Sequence, residues 1–316
     1  MIDKLDLVNE FNRIGIKKGD TLFLRISYKS LGKIEGGPKT VVKALRECIG
    51  EDGNLIATAY GGNYMSPYIL KRIFQRKYVF EKGNIRNINT GIIPVLIAQE
   101  PDAHWSSHPI FPYVAVGKYG KAITDKHTPD SGPYDLLSNI RDNYNAKTLR
   151  IGGYILTGTT HISFTEAMIA SNNTQRMPKG MRYYRDENGI LKLKKSRQAA
   201  FCFDEYDKFF RNIILQDEEA ILYHGKFLET EATLMSMKKI LFLERKHINS
   251  HPEVLLCENP DCTFCPHTYS FSKHKVDYFK IRLKRILTGN KQTKVSALQD
   301  IGYYLLSLVF IKNDVQ

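Results

Sequence analysis

Apolar residues along this chain follow two periods that alternate from the N terminus onward. Short apolar runs at 21–26, 54–60, 113–117 and 148–153 predict strands, and apolar positions three to four residues apart at 3–14, 38–49, 134–141 and 162–171 predict amphipathic helices. In the clearest unit, Leu22 to Ile26 reads as a sheet interior. Pro38, suited to a first helical position, is then followed by Val41, Val42, Leu45 and Ile49 on one face. Such alternation predicts an α/β fold in which helices cover a central sheet. Residues 181–195 break the pattern. Arg182-Tyr-Tyr-Arg185 and Ile190-Leu-Lys-Leu193 flank Asp186-Glu-Asn188-Gly189, and Asn-Gly is a strong hairpin signal, so a projecting β-ribbon is expected. Lys179, Arg182, Arg185, Lys192, Lys194, Lys195 and Arg197 make it basic, which suits either closure over an acidic ligand or a solvated face.

The link between the first strand and the second helix is rich in hydroxyls and glycines: Ser27-Tyr28-Lys29-Ser30-Leu31-Gly32, then Gly36-Gly37 before Pro38. Glycines let backbone N–H groups approach an anion, and a helix N terminus adds partial positive charge, so a phosphate or pyrophosphate fits there. The same residues would also serve as an ordinary strand-to-helix connection.

This segment resembles the opening of the aminoglycoside 3-N-acetyltransferase family: a strand, Ser-x-x-Ser-x-Gly, a spacer, Gly-Gly, a helix and a Gly-x-Leu strand. Here these are Ser27, Ser30, Gly32, Gly36, Gly37 and Gly53-Asn54-Leu55. Thr90-Gly91-Ile-Ile-Pro94, Ser106-Ser107-His108-Pro109, Asp130-Ser-Gly-Pro-Tyr134, Leu149 to Gly153, Asp204 to Ile214 and Gly225-Lys226-Phe227 through Leu243 follow in the family's order. The resemblance spans roughly residues 5–246. It implies a mixed central sheet, acetyl-CoA as co-substrate bound near Ser27 to Gly37 with Ser107 and His108, and a small-molecule amine as acceptor.

Aminolysis of a thioester needs a base for the ammonium proton and donors for the oxyanion. The resemblance places the base as the His of a Thr-x-x-His-x-x-Glu arrangement. Aligning on Thr160 and Glu166 puts Ser163 at that position, with His161 two residues upstream, about 200° around a regular helix. Three readings stay open: His161 lies just before the helix and faces the cleft; Ser163 is in place and another group, such as His108, serves; or transfer is lost and the protein binds without chemistry. The family's orienting carboxylate falls in the Asp204-Glu205-Tyr206-Asp207 stretch, so Asp204 and Asp207 are its candidates, although helix N-caps also favour Asp. Pro112 stands where the family motif after His108 continues to a Ser.

Beyond residue 246 the resemblance ends. Cys257, Cys262, Cys265 and His267 form a Cys3His set that would suit a structural zinc ion, the alternative being reduced cysteines in a loop. A basic amphipathic helix (273–287) and a more apolar one (295–311) follow; either packs on the chain's own core or, if exposed, makes an oligomer contact. The organisation expected is therefore a transferase-like domain over 1–250 and a Cys-rich helical extension over 251–316.

Composition bounds these readings. With 316 residues, 42% of them hydrophobic, the chain can bury a sizeable core. An odd count of five cysteines argues against a disulfide framework and, with no visible leader and no apolar run of about 18 residues, gives a cytoplasmic expectation. Net charge is +13, from 46 Lys and Arg against 33 Asp and Glu, which points to an acidic partner. The resemblance makes that partner CoA rather than nucleic acid. The charge also prefers an amino sugar carrying a diphosphate, as in surface-polysaccharide synthesis, over a polycationic aminoglycoside. The alternative is an inactive relative that acts as a scaffold through its Cys-rich extension.

Overall fold

The computed structural model describes residues 1–60, 79–153, 157–171, 179–197, 201–257, 283 and 287. Along the chain these form α1 (Lys4–Arg13), β1 (Thr21–Ile26), α2 (Pro38–Ile49), β2 (Asn54–Thr58), α3 (Ile92–Ile97), β3 (His104–Trp105), β4 (Tyr113–Gly117), α4 (Gly120–Asp125), α5 (Asp135–Asn143), β5 (Lys147–Ile151), α6 (Thr160–Ala170), β6 (Lys179–Arg185), β7 (Leu191–Arg197), α7 (Phe203–Asn212), β8 (Ile221–Phe227), β9 (Thr230–Ser236) and α8 (Met237–Ile248). The strand and helix runs read from the sequence reappear within a few residues. One shift matters: the helix expected over 162–171 begins at Thr160, so His161 lies in its first turn and not in the loop before it.

Seven strands build one mixed sheet in the order β3-β4-β2-β1-β5-β9-β8. β1 pairs in parallel with β2 on one side and β5 on the other, while the β2–β4, β3–β4, β5–β9 and β8–β9 pairs are antiparallel. Side chains alternate across a strand. Leu22, Leu24, Leu55 and Leu149 thus meet α1 and α2 through Leu7, Phe11, Val41 and Leu45. Phe23 and Ile56 face the other way, onto Leu137, Ile140, Ile162 and Leu241 of α5, α6 and α8. Behind that layer α6, α7 and α8 share Phe164, Met168, Tyr206, Phe210 and Ile240. Local signals agree with the packing: Asp3 and Asp6 form a reciprocal capping box at the start of α1, and Pro38 opens α2 behind Gly37.

The ribbon expected at 181–195 is present as the β6–β7 pair, paired from Lys179 with Arg197 to Arg185 with Leu191. Asp186 accepts the N–H groups of Asn188 and Ile190 and so closes the turn. The ribbon is tied to the body where Phe80 donates to the Tyr183 carbonyl and where Lys194 donates to the Ser131 carbonyl. The basic helical segments expected after residue 272 lie outside the described residues apart from Leu283 and Leu287. Residues 252–255 form a 3-10 turn whose Leu255 is buried against the α6–α7–α8 layer.

One loop contact fixes the sheet edge on which the site stands. Gly152 follows β5 with φ +56°, and a Cβ there would lie 1.9 Å from Ser30 Oγ and 2.8 Å from Ser30 Cβ. Gly152→Ala is therefore expected to cost about 2–4 kcal/mol. Of this, about 1–2 comes from the left-handed backbone and the rest from overpacking. A loss of unfolding free energy in urea denaturation smaller than that would place the two loops further apart than described.

Candidate active site

A cleft of about 650 Å³ opens where β1, β2 and β5 end. Parallel strands deliver their carboxyl ends to one edge, the usual place for a ligand in an α/β sheet. Ser27, Tyr28 and Lys29 form one wall with Pro38. Gly152 and Gly153 form its floor, and Thr90 to Pro94 stands opposite. The turn at the floor is held by Arg150, whose guanidinium donates to the Gly153 carbonyl and pairs with Glu231. Thr90 ties the far wall to β2 by donating to the Thr58 carbonyl at 2.7 Å.

Of the loop residues named from the sequence, Ser27, Tyr28 and Lys29 line this cleft. The others shape the loop. The Ser30 hydroxyl turns back to the Ser27 carbonyl, Leu31 is buried in the core, Gly32 sits under Glu229, Gly36 abuts Thr40 and Gly37 caps α2. No side chain caps the N terminus of α2, which opens beside the cleft at Pro38. Lys29, the backbone-rich loop and the apolar far wall suit a ligand that combines phosphates with a flexible, weakly polar arm, as CoA does.

Ser107 and His108 are not brought to that wall. The Ser107 N–H donates to the His127 carbonyl, and His108 is fully buried. His108 Nδ1 accepts the N–H groups of Ile110 and Phe111 at 3.3 and 2.9 Å, so in the neutral ring the proton sits on Nε2. Its ring stacks on His127 with centroids 4.7 Å apart. His127 donates to the Gly132 carbonyl and accepts from Ser106, which in turn accepts the Tyr113 N–H. Burial pushes His108 down to about 2, helped by the neighbouring His127, and His127 down to about 4. This pair stays neutral and builds the turn before β4, which accounts for the Ser-Ser-His-Pro motif without a role in the cleft.

His161 lies in the first turn of α6, partly exposed, its ring between Tyr134 and Phe201 at centroid distances of 5.2 and 5.1 Å. Arg25 lines the cleft two residues beyond Phe23 on the same strand face, and Phe23 abuts Gly158 just before α6. The guanidinium is thus directed toward the α6 side. Burial and the Arg25 charge push the imidazole down to about 3, so it is neutral at physiological pH.

Ser163, at the position aligned with the family histidine, faces the opposite way and is fully buried. The carboxylates expected near the base are elsewhere. Glu166 forms a two-pronged pair with Arg245 at the surface, and Asp207 pairs with Arg211 along α7. Asp204, in the first turn of α7, is solvent-exposed. Helical phase explains this: the buried face of α7 carries Tyr206 and Phe210, and Asp204 and Asp207 fall off it.

The acid buried behind α6 is one the sequence reading passed over. Glu244 of α8 is fully buried, and its Oε1 accepts from Thr157 at 2.9 Å, Thr160 at 2.7 Å and Tyr206 at 3.0 Å. Ser163 donates to Oε2 at 3.4 Å. Burial raises Glu244 to about 7 against the opposing pull of these hydroxyls. A signal existed: Met237, Ile240, Leu241, Glu244 and Ile248 share one helical stripe, and a lone acid in such a stripe marks a buried polar partner. Of the proposed metal ligands, Cys262, Cys265 and His267 lie outside the described residues, and Cys257 packs beside Cys202. Among the described residues no three His, Cys, Asp or Glu side chains are grouped to hold a metal.

Residues 23–248 match the family described as Aminoglycoside 3-N-acetyltransferase. The aminoglycoside N(3)-acetyltransferase III of Pseudomonas aeruginosa is 29% identical over 158 residues, 48% of this chain and 56% of that protein. The aminoglycoside N(3)-acetyltransferase VIII of Streptomyces fradiae is 28% identical over 151 residues, 42% of this chain and 50% of that one. The chain thus spans about half the length of the curated relatives it matches. The crystal structure of apo AAC(3)-IVa superposes with a TM-score of 0.66 at 17% identity, covering 85% of this chain and 97% of that one. A complex of AAC-IIIb with CoASH superposes at 0.65 and 17%, covering 78% and 96%. At such identity the likeness is one of fold.

The buried groups give a pH signature of stability. His108, His127 and His161 stay neutral in the folded chain but take up protons near 6.5 when unfolded. Their contribution is complete above pH 6.5 and is lost as pH falls toward their folded values. Glu244 works the other way: raised from 4.5 to about 7, its contribution is complete below pH 4.5 and lost as pH rises through 7. Three groups oppose one, so thermal midpoints should fall between pH 6.5 and 4.5, and more steeply in Glu244→Gln. A midpoint that is flat or rising with acid over this window would contradict the burial of the histidines.

Proposed function

The chain belongs to the aminoglycoside 3-N-acetyltransferase family, and on that premise we propose that it transfers the acetyl group of acetyl-CoA to a primary amine of an amino-sugar acceptor. One observation carries the reading: a neutral imidazole, His161, stands in the first turn of α6 within electrostatic reach of Arg25, which lines the cleft beyond β1. The pantetheine arm would lie along the cleft between the Ser27–Lys29 loop and Gly91–Pro94.

The amine nitrogen adds to the thioester carbonyl, giving a tetrahedral oxyanion and an ammonium. His161 accepts the ammonium proton, the C–S bond breaks, and the proton passes to the departing CoA thiolate. Nearby cations matter in two ways. Arg25 stabilises the oxyanion and disfavours a charged ammonium beside it, so the acceptor is held as the nucleophilic free amine. Imidazolium formation, costly beside Arg25 and between aromatic rings, is offset by the negative charge created in the same step.

Two acceptor classes are in view. The names of the relatives bring aminoglycosides, and one related structure is AAC-VIa bound to sisomicin. Charge favours a second class: Arg25 and Lys29 line the cleft and, among the described residues that line it, there is no Asp or Glu to receive a polycation. An amino sugar that carries a phosphate, such as a nucleotide-linked one, complements such a surface.

His161→Ala should lower kcat by about 10² to 10⁴, the range for a lost general base, with acetyl-CoA affinity within about twofold of the parent protein. Thiol release measured with an aminoglycoside beside a nucleotide-linked amino sugar separates the two acceptor classes. Acetyl-CoA binding without turnover on either would favour a binding protein, and unchanged turnover in His161→Ala would remove His161 from the reaction.

A further inference from the structure

The buried acid at the back of α6 has no part in the proton transfers above, yet it engages three residues at the start of that helix. Thr157 and Thr160 direct their hydroxyls at Glu244 Oε1, and Ser163, three residues further on, places its hydroxyl between Glu244 Oε2 at 3.4 Å and the Thr160 carbonyl at 3.2 Å. At about 100° per residue, Thr160 and Ser163 share a face, and His161 points about 130° from its midline. Holding one face of the first turn therefore fixes where the imidazole points. We infer that Glu244 is a positioning residue: its carboxyl, reaching across from α8, sets the rotation of α6 so that the side chain of residue 161, and not that of residue 163, is turned to the Tyr134 and Phe201 side of the helix, toward Arg25. This rests on the reading of His161 as the base.

Three further observations support the assignment. Thr159, at the N-cap of α6, makes no side-chain cap hydrogen bond; the Thr160 N–H instead reaches Thr157 Oγ1 at 3.4 Å, and that hydroxyl is itself bonded to Glu244. Tyr206 of α7 donates to the same Oε1 and lies 3.0 Å from Thr157 Oγ1, so the carboxyl joins α6, α7 and α8 at one point. Finally, Glu244 occupies a stripe of Met237, Ile240, Leu241 and Ile248, where an aliphatic side chain would pack without desolvating a carboxyl. A buried acid in such a place is often neutral or costly for stability, which points to a geometric role. Ser163 fits this account. The place that holds histidine in the family pattern here carries a short hydroxyl, fully buried against Glu244, and the imidazole of residue 161 stands on nearly the opposite face of the helix.

The test uses Glu244→Leu, which completes the apolar stripe, and Glu244→Gln, which keeps the shape and one acceptor oxygen. Each is examined alone and combined with His161→Ala, by steady-state kinetics and by following the His161 imidazole resonances against pH. Expected are a KM for acetyl-CoA within about twofold, a kcat lowered about 10-fold to 100-fold as for a small misplacement of the base, and a His161 titration displaced toward 6.5. In the His161→Ala background the second substitution should cost nothing more. The inference is overturned if kcat falls equally with and without His161. It is also overturned if only the melting temperature moves while kcat and the His161 resonances stay put. Should the parent protein show no turnover, the acetyl-transfer reading fails, and the His161 resonances in the two variants still decide the positioning role.

Discussion

Parallel pairing of β1 with both β2 and β5 is the constraint on which the rest of the structure depends. It sends three chain segments out of the sheet at one edge, and each must then turn. The β1 exit becomes the Ser27–Lys29 wall, the β5 exit becomes the Gly152–Gly153 floor and the approach to α6, and the β2 exit leads past Tyr60. The antiparallel strands outside this trio complete the sheet but contribute little to the cleft. Hydrogen-bond geometry in the middle of the sheet thus decides which residues, far apart in sequence, share the site.

That central arrangement is legible in the sequence because it depends on local periodicity. The run from Leu22 to Ile26, the Pro38 helix start and the Asn188-Gly189 turn each express a single physical preference, and the structure follows all three. Legibility fails where a residue has two plausible uses. His108 sits in a motif of the family pattern, yet its Nδ1 closes a turn and its ring is buried on His127. Asp204 and Asp207 precede an apolar helical pattern, as the resemblance asks, but the phase of that helix turns them to solvent. Glu244 was hidden by the opposite effect. A charged residue within an apolar stripe reads as an interruption until the hydroxyls that satisfy it are found on helices tens of residues away. Pairwise polar satisfaction is a tertiary property, and spacing within one helix does not encode its partner.

On the proposed reading, a histidine kept neutral serves as the base. An imidazole whose charged form is disfavoured is a weak base at rest. In the proposed transfer, an oxyanion forming beside the ring would offset the penalty that holds it neutral, with Arg25 sharing in its stabilisation. The same low-dielectric setting that depresses the resting base would strengthen an ion pair formed there in the transition state.

The close approach of Ser30 to Gly152 has a mechanical consequence. Two loops from neighbouring strands touch without room for a methyl group between them, and the Gly152 N–H is in turn bonded to the Glu231 carbonyl on β9. One side of the cleft is thus a stiff lip continuous with the sheet, whereas the other side, α3 and the Thr90–Gly91 turn, is attached from outside it. That outer wall is held to the sheet by the Thr90 hydroxyl on the Thr58 carbonyl and by Ile93, Leu96 and Ile97 packed in the core, so both sides of the opening are anchored, one through backbone bonding within the sheet and the other through side chains.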